Sequence, residues 1–469
     1  MTTSPYPAAR FPIAVRGYAP VQVNEEVSQF QRLGFNILLV FVFLTLSRIF
    51  DVKFGNLHIT GIAFRFVLAM VLLSRAFLPA LKTPIGRTLL GLTICMGFSV
   101  PFSVWRSGSK ELFQNWATFT FIAFLAMAGL VANYQQWLKV NKAVMYALFV
   151  FALIANIWGI NKNGRLFLEQ GKFSNPNEMA QALLLGLPLW GAAMVAATSG
   201  PRKVFSAGVM LLMLITTFRT GSRGAMIAFV AMIMAAFLRA SVADKLKLVM
   251  VGVLFLGVVS VAMPGKLIAR YKTVADTEVD DPDADEAMLN SAQSSTESRK
   301  VLLRHSLVLT LHHPLLGVGM GMFEVADNAY SMSLGLRKGT WLGTHNSYTQ
   351  VSSEIGIPGF LCFIIAVFLS LKGPLTIYKQ TRGDPRLENM GTIALGMHYT
   401  MLIYAVTVLF EHIAYSLMLP IFGGMVAALM RTAPAEIERI KAIPLAPIMS
   451  PATFVNYVSQ RRRPKQAVL

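Results

Sequence analysis

The chain has 469 residues, of which 55% are hydrophobic and only 14% are charged, and its mean hydropathy is +0.56. In soluble domains about a quarter of the residues are usually charged. This composition therefore excludes an ordinary soluble globular protein and indicates a membrane protein. The two cysteines, Cys95 and Cys362, lie in apolar runs, which excludes a disulfide framework or a cysteine-based metal cluster.

The predicted elements are about twelve transmembrane helices, since a bilayer core needs roughly 20 apolar residues per helix. They lie near residues 33–50, 59–79, 88–105, 115–134, 140–160, 177–198, 204–218, 223–240, 246–263, 358–372, 389–410 and 412–431. Residues 1–32 are polar and lack the apolar core and cleavage site of a secretory signal. The predicted fold class is therefore an all-α integral membrane protein.

The net charge of +19 is interpreted as a positive-inside bias, because the basic tail and the basic loops fall on one side of the bundle. This predicts an N-in, C-in topology with one long periplasmic loop between spans nine and ten. The predicted division is a cytoplasmic segment 1–32, helices one to nine at 33–263, a periplasmic loop subdomain 264–357, helices ten to twelve at 358–431 and a basic cytoplasmic tail 432–469. Anionic membrane lipids, rather than nucleic acid, are the expected partners of such a tail.

The long loop begins with an acidic run, residues 276–286, that two interpretations fit. A calcium site is the weaker one, because the glycine and terminal glutamate spacing of an EF-hand is absent. A solvated acidic turn is the other. From Thr296 to about Thr310 the loop carries apolar residues and is predicted to form a helix against the membrane surface.

Several polar residues are predicted to lie at the outer ends of the spans, where charged groups are costly and commonly mark sites. Arg165 precedes span six, and Asn177 or Ser174 is expected to cap that span. Arg219 and Arg223 flank the short turn between spans seven and eight. Small neighbours at this turn offer backbone donors to a phosphate, although snorkelling to lipid phosphates is the ordinary alternative for such arginines.

His345 opens the segment that leads into span ten, in which Gly356-Ile357-Pro358-Gly359 is expected to break the helix. Residues 346–355 are therefore predicted to form a short interfacial helix. A structural, hydrogen-bonded role for His345 stands beside a catalytic one. Glu354 and Glu411 are rival candidates for a base, and Arg65 within span two is a candidate partner of Glu411.

Motifs for metal, nucleotide or covalent catalysis are absent from the sequence. The histidines have no zinc spacing, and neither His-Glu-x-x-His nor a Gly-x-Ser-x-Gly elbow occurs. Gly317, Gly319 and Gly321 are predicted to follow a helix end rather than a strand, unlike a dinucleotide-binding turn. No metal, nucleotide or other cofactor is therefore expected.

Four sequence blocks resemble the O-antigen ligase and O-antigen polymerase family of bacterial membrane glycosyltransferases. They are Arg165 with Gly171-Lys172-Phe173-Ser174-Asn175-Pro176-Asn177-Glu178; Thr220-Gly221-Ser222-Arg223-Gly224; Ser298-Arg299 followed by His313-Pro314 through Phe323; and Thr344-His345-Asn346-Ser347-Tyr348 through Phe360. The acidic run 276–286 is not part of the family pattern. Each block alone is weak, and their order and shared outer placement make the set specific.

The resemblance implies a GT-C type transferase in the bacterial inner membrane, with its active site facing the periplasm. Such an enzyme moves a glycan from undecaprenyl diphosphate to an acceptor hydroxyl, on the lipid A core or a similar glycolipid. By the resemblance, Arg165 and Arg223 serve the reaction at the diphosphate and His345 is the catalytic base. The expected substrate-binding set also contains Arg219, Asn177 and Arg299.

Other functions stay open at this point. A polysaccharide polymerase of the same family would differ only in its acceptor. A transporter of lipid-linked glycans would also have many spans, but its site is expected near the bilayer midplane. A scaffold role is the least favoured, since it leaves Arg165, Arg223 and His345 on one face unexplained.

Overall fold

The computed structural model describes residues 28–50, 58–162, 164–168, 175–246, 249–250, 252, 271 and 286–443. These parts of the chain are mainly helical. A short antiparallel hairpin, β1 (Ile160–Lys162) and β2 (Arg165–Phe167), is the regular β-structure within them, and Lys162 lies opposite Arg165. Residues 276–285 of the predicted acidic run and most of predicted span 246–263 lie outside the described residues.

The α-helices are numbered here in chain order. They are α1 (Gln29–Ser47), α2 (Ile59–Leu73), α3 (Phe77–Lys82), α4 (Pro84–Ser99), α5 (Arg106–Asn115), α6 (Phe121–Gly129), α7 (Tyr134–Trp158), α8 (Pro176–Ala196), α9 (Gly200–Arg219), α10 (Arg223–Arg239), α11 (Glu286–His312), α12 (Phe323–Ser333), α13 (Ser347–Thr381), α14 (Glu388–Thr407) and α15 (Met418–Lys441). Short 3-10 turns occupy Val100–Phe102 and Pro385–Leu387, and a π-helical turn, Trp116–Thr120, joins α5 to α6.

Eight helices in the described part of the chain are long and apolar enough to cross a membrane. They are α1, α4 with its 3-10 extension, α5 continuing into α6, α7, α8, α9, α13 and α15. The protein is thus an all-α, multi-pass membrane protein, as predicted. Helices α2, α10 and α14 coincide with three more predicted spans but fall outside this set, so the number twelve and the N-in, C-in orientation stay predictions.

Helices α8 and α15 form the centre of the bundle, because 72% and 78% of their apolar windows are buried. Trp137 on α7 donates its indole N–H to the carbonyl of Met425 on α15 at 2.8 Å. Trp190 on α8 donates to the carbonyl of Met145 at 3.1 Å. Indoles that donate to helix carbonyls anchor α7 between the two central helices, since a buried N–H needs an acceptor.

A smaller core lies between α11, α12 and the turn that joins them. Leu302 and Leu309 on α11 pack with Phe323 and Ala326 at the start of α12. The helix predicted from Thr296 to about Thr310 is therefore present, within the longer α11. Its position against the membrane surface stays a prediction.

Helix α13 is broken at Gly356, whose φ is 81°, as the Gly-x-Pro-Gly pattern predicted. The turn after α11 lies against this break, because the Ile357 N–H donates to the carbonyl of Pro314 at 2.7 Å. A Cβ atom on Gly317 (φ 66°) would lie 2.2 Å from the carbonyl carbon of Glu354. Glycine is required at Gly317 both for its left-handed backbone and for this backbone-to-backbone approach.

Candidate functional site

The helix ends enclose a cleft with an empty volume of about 260 Å³. It lies between the first turns of α8 and α10, one face of α11 and the loop 408–417 that joins α14 to α15. The residues that line it are Asn177, Ser222, Arg223, Gly224, Arg299, Phe410 and Glu411. Three of the predicted substrate-binding residues, Asn177, Arg223 and Arg299, therefore meet in one place.

The start of α10 supplies the cleft with positive charge. Ser222 is the N-cap residue, and its hydroxyl oxygen accepts a hydrogen bond from the Ala225 N–H at 3.4 Å. Arg223 donates from Nη1 to the hydroxyl oxygen of Thr296 on α11 at 3.2 Å. A helix N-terminus and a guanidinium at the same point both favour an anion.

Gly224 allows α10 to come close to the loop 408–417. A Cβ atom on Gly224 would lie only 2.7 Å from the Cβ atom of Phe410. Because Gly224 has no side chain, the Phe410 side chain packs against α10 and forms part of the lining of the cleft. A larger residue at Gly224 would displace Phe410 and, with it, the neighbouring Glu411.

Glu411 is buried and Arg299 is half-buried, and each has buried hydrogen-bonding atoms that are not used. Among the described residues, the two carboxylate oxygens of Glu411 have no hydrogen-bond partner. The same holds for the Nε atom of Arg299. Burial raises the pKa of Glu411 well above its ordinary value, the charge of Glu178 raises it further, and Arg299 opposes both. The neutral form of Glu411 is thereby favoured, so the cleft is cationic.

Arg165 lies behind the cleft and orients one of its lining residues. Its Nη2 atom donates to Oδ1 of Asn177 at 2.8 Å, and its Nε atom donates to the Thr220 carbonyl at 2.8 Å. Because Oδ1 of Asn177 accepts from Arg165, the amide Nδ2 of Asn177 is the donor that remains for the cleft. Arg165 is thus a positioning residue in this geometry.

The N-cap of α8 differs from the prediction. Asn175 is the capping residue, and its Oδ1 atom accepts from the Asn177 N–H at 2.9 Å. The predicted cap Asn177 is therefore wrong, and Ser174 lies outside the described residues. Pro176 explains the difference, because proline is preferred at the first helical position and makes the preceding residue the cap.

Arg219 is not among the residues that line the cleft. Its Nη1 atom donates to Oδ1 of Asn156 on α7 at 2.7 Å, and Asn156 in turn donates to the hydroxyl of Thr216 at 2.6 Å. The tight turn between α9 and α10 reverses the chain, so Arg219 and Arg223 contact different helices. Arg219 links α9 to α7.

His345 lies outside the lining of the cleft and beside His412, with ring centroids 4.9 Å apart and ring planes at 83°. Its backbone is left-handed, with φ 51°, a conformation that is uncommon for residues other than glycine and that often occurs at functional sites. Burial, then His412, then Arg299 lower the pKa of His345 to about 4. His345 is therefore neutral near pH 7.

Ser347, the first residue of α13, holds the loop 408–417 beside His345. Its hydroxyl donates to the carbonyl of Glu411 at 2.7 Å and accepts from the Ile413 N–H at 3.0 Å. Its own N–H donates to the Val408 carbonyl at 2.8 Å. One serine thus links the segment that carries His345 to the segment that carries Glu411 and His412.

Sequence reasoning missed His412 and Thr296 and assigned Glu411 the wrong partner. Arg65 is exposed on α2, and the charges that act on Glu411 are Glu178 and Arg299. The available signal was the Glu411-His412 pair directly after a predicted span. Within the described residues, no group of three or more His, Cys, Asp or Glu could hold a metal ion.

Residues 208–364 match the sequence profile of a family described as O-antigen ligase. The matched segment is 157 of the 469 residues, about a third of the chain. The matched segment contains Arg223, Arg299 and His345, whereas Arg165, Asn177 and the loop 408–417 lie outside it. The resemblance to the O-antigen ligase and polymerase family is confirmed. A search of curated proteins finds no match.

Proposed function

We propose that this protein is an O-antigen ligase-like glycosyltransferase that moves a glycan from undecaprenyl diphosphate to an acceptor hydroxyl, on the lipid A core or a similar glycolipid. The observation that carries the proposal is the cationic cleft, in which Arg223, Arg299 and the N-terminus of α10 surround one space. In the proposed topology this cleft faces the periplasm from the inner membrane.

The cleft is suited to the leaving diphosphate. As the bond between the anomeric carbon and the diphosphate oxygen breaks, negative charge grows on the diphosphate. Arg223 and Arg299 stabilise this charge by charge-assisted hydrogen bonds. The amide Nδ2 of Asn177 adds a neutral donor. A sugar diphosphate is already activated, so the chemistry requires no nucleotide and no metal.

His345 is the proposed general base. The acceptor oxygen forms a bond to the anomeric carbon, the carbon–oxygen bond to the diphosphate breaks with its electron pair on the diphosphate, and the hydroxyl proton passes to a ring nitrogen of His345. The lowered pKa leaves the imidazole unprotonated at pH 7, which a general base requires. A single displacement inverts the anomeric configuration.

The polymerase of the same family is the alternative, and the acceptor distinguishes the two. In a strain that lacks the protein, loss of polymer-capped lipid A core with accumulation of lipid-linked polymer would show a ligase. A lipid A core that carries only one glycan repeat unit would show a polymerase. A transporter is less favoured, because the polar residues gather at helix ends rather than near the midplane.

Two experiments test the proposal directly. The purified protein in lipid nanodiscs should release undecaprenyl diphosphate and form a glycosylated acceptor from a lipid-linked glycan. Cysteine labels near Ser291 should react with an impermeant reagent from outside, whereas labels near Thr381 should not. A reversed labelling pattern would contradict the proposed sidedness of the cleft.

A further inference from the structure

A second cavity, with an empty volume of about 580 Å³, lies next to the cationic cleft. A thin wall separates the two spaces. In the first turn of α8, Asn177 lines the cleft and Glu178 lines the cavity. In the loop 408–417, Glu411 lines the cleft and Ile413 lines the cavity. Any group bound in one space is therefore close to a group bound in the other.

The walls of this cavity are chemically mixed. Hydroxyl, amide and carboxyl groups come from α1, the end of α5, the π-helical turn, α8 and the loop before α15. They are Thr45, Asn115, Thr120, Glu178, Gln181 and Ser416. Arg48 and Tyr415 also line the cavity, and apolar side chains, Leu46 and Leu417 among them, form the rest of the wall. A polyprenyl chain is expected in a uniformly apolar groove, whereas a sugar presents both hydroxyl groups and C–H faces, which this wall matches.

Thr45 provides independent evidence for a ligand. Its side chain lines the cavity and is only 4% exposed, and within the described residues its hydroxyl has no hydrogen-bond partner. A buried helical threonine commonly donates to a carbonyl one turn earlier, as Thr432 does to Ala428 at 2.8 Å. An unsatisfied buried hydroxyl is costly, and a ligand hydroxyl in the cavity would satisfy it.

The π-helical turn shapes the same wall. The Phe121 N–H donates to the Trp116 carbonyl, five residues earlier, so one extra residue is accommodated between α5 and α6. Asn115 and Thr120 flank this turn and both line the cavity. Single π-helical turns inside α-helices occur frequently at functional sites. Gln181, opposite them, is held by its hydrogen bond to the Thr407 hydroxyl at 2.6 Å.

We propose that this cavity is a saccharide subsite of the transfer reaction, in which Thr45 hydrogen-bonds a sugar hydroxyl. The inference rests on the proposed function, because a diphosphate in the cleft places the attached donor sugar and the attacking acceptor sugar near the shared wall. Either sugar has the required chemistry. The experiment below separates these two sources.

Binding to the full-length protein in nanodiscs tests the subsite without requiring transfer. The probes are the core oligosaccharide released from the host lipopolysaccharide, the glycan released from the lipid-linked donor, and farnesyl diphosphate. Thr45→Val removes the hydroxyl and keeps the shape of the side chain. We expect about three- to tenfold weaker binding of one saccharide, with farnesyl diphosphate unaffected. Thr432→Val, a buried threonine outside the cavity, is the matched control and should bind all three probes as the unmodified protein does.

Each outcome decides the proposal. Weaker binding of the core oligosaccharide assigns the cavity to the acceptor, and weaker binding of the donor glycan assigns it to the donor. Unchanged saccharide binding, or weakening confined to farnesyl diphosphate, overturns the subsite. If Thr45→Val fails to fold, Thr120→Val tests the same wall with the same probes. If the protein binds a saccharide through Thr45 but transfers none, the subsite is supported and the proposed function is contradicted.

Discussion

Two buried glutamates near the start of α13 differ in how their carboxylate oxygens are bound. Glu354 is 3% exposed and Glu411 is 4% exposed. Glu354 accepts the Gly321 N–H at 2.9 Å on one oxygen and the Phe323 N–H at 3.3 Å on the other. Neither oxygen of Glu411 has a hydrogen-bond partner among the described residues.

The contrast indicates different tasks for the two carboxyl groups. Glu354 satisfies backbone donors of the glycine-rich turn and thereby holds α12 against α13, which is a structural task. Glu411 faces a cleft that contains Arg299, where its unused oxygens are available to a ligand. A buried polar group without partners is costly, and the cost is understandable where a substrate provides the missing partners.

The largest expected effect is the loss of glycan transfer when His345, beside the loop that carries Glu411, is replaced. His345→Gln keeps a hydrogen-bonding side chain but cannot take a proton, so transfer should fall by about 10²- to 10⁴-fold. The thermal unfolding midpoint should not change. His312→Gln is the control, because His312 is exposed on α11 and away from the cleft. Near-normal transfer by His345→Gln in a purified assay would show that His345 is not the base.

Replacement of the cleft arginines should have the next largest effect. In Arg223→Lys and Arg299→Lys a point charge replaces a planar fork, and transfer should fall about a hundredfold, equivalent to about 3 kcal/mol. Arg219→Lys should be milder, because Arg219 contacts Asn156 rather than the cleft. Initial rates with a lipid-linked donor measure all three variants. Equal and mild losses would instead favour contacts with membrane lipids.

The glutamates themselves offer a direct comparison of stability. Glu354→Gln turns an amide N–H₂ toward a backbone N–H and should lower the free energy of unfolding by about 1–3 kcal/mol. Glu411→Gln breaks no existing hydrogen bond and should leave stability unchanged. Thermal unfolding in detergent measures both. A larger loss of stability in Glu411→Gln than in Glu354→Gln would show that the contrast between the two carboxyl groups is wrong.

The smallest expected effect is that of pH on kcat/KM, which should stay nearly constant between pH 7 and pH 5.5. The pKa of His345 is lowered to about 4, so the imidazole stays neutral from pH 7 down to pH 5.5. The value of kcat/KM should therefore change by less than about twofold over this range, whereas an ordinary histidine with a pKa near 6.5 would lose about tenfold. The free energy of unfolding should decrease as the pH falls from about 6.5 toward 4. In this range His345 is protonated in the unfolded chain but stays neutral in the folded protein. A tenfold loss of kcat/KM at pH 5.5 would contradict the buried environment of His345.

Much of the bundle was predictable because transmembrane helices depend on local apolar runs. Patterns of consecutive residues indicate helices α7 and α8 and the break at Gly356. The cap of α8 was also readable, since Pro176 marks Asn175 as the N-cap residue, but the prediction chose Asn177 or Ser174.

The contacts of the cleft were harder to predict because they depend on long-range docking. Arg219 and Arg223 look alike in the sequence, and only the reversal of the chain between α9 and α10 separates their environments. Thr296 on α11 accepts a hydrogen bond from Arg223 at the start of α10, and no local pattern indicates this contact. The Arg65 to Glu411 pair failed for the same reason, since similar predicted depth does not imply proximity.

The π-helical turn between α5 and α6 makes the chain sensitive to length at this point. Removing one residue from Trp116–Thr120 would allow an uninterrupted α-helix with better hydrogen-bond geometry. Because the wide turn accommodates the extra residue, α5 and α6 would keep nearly the same rotation relative to each other. The change would be confined to the turn, beside which Asn115 and Thr120 line the cavity. A one-residue deletion here should therefore alter the wall of the cavity locally and leave the register of the bundle intact.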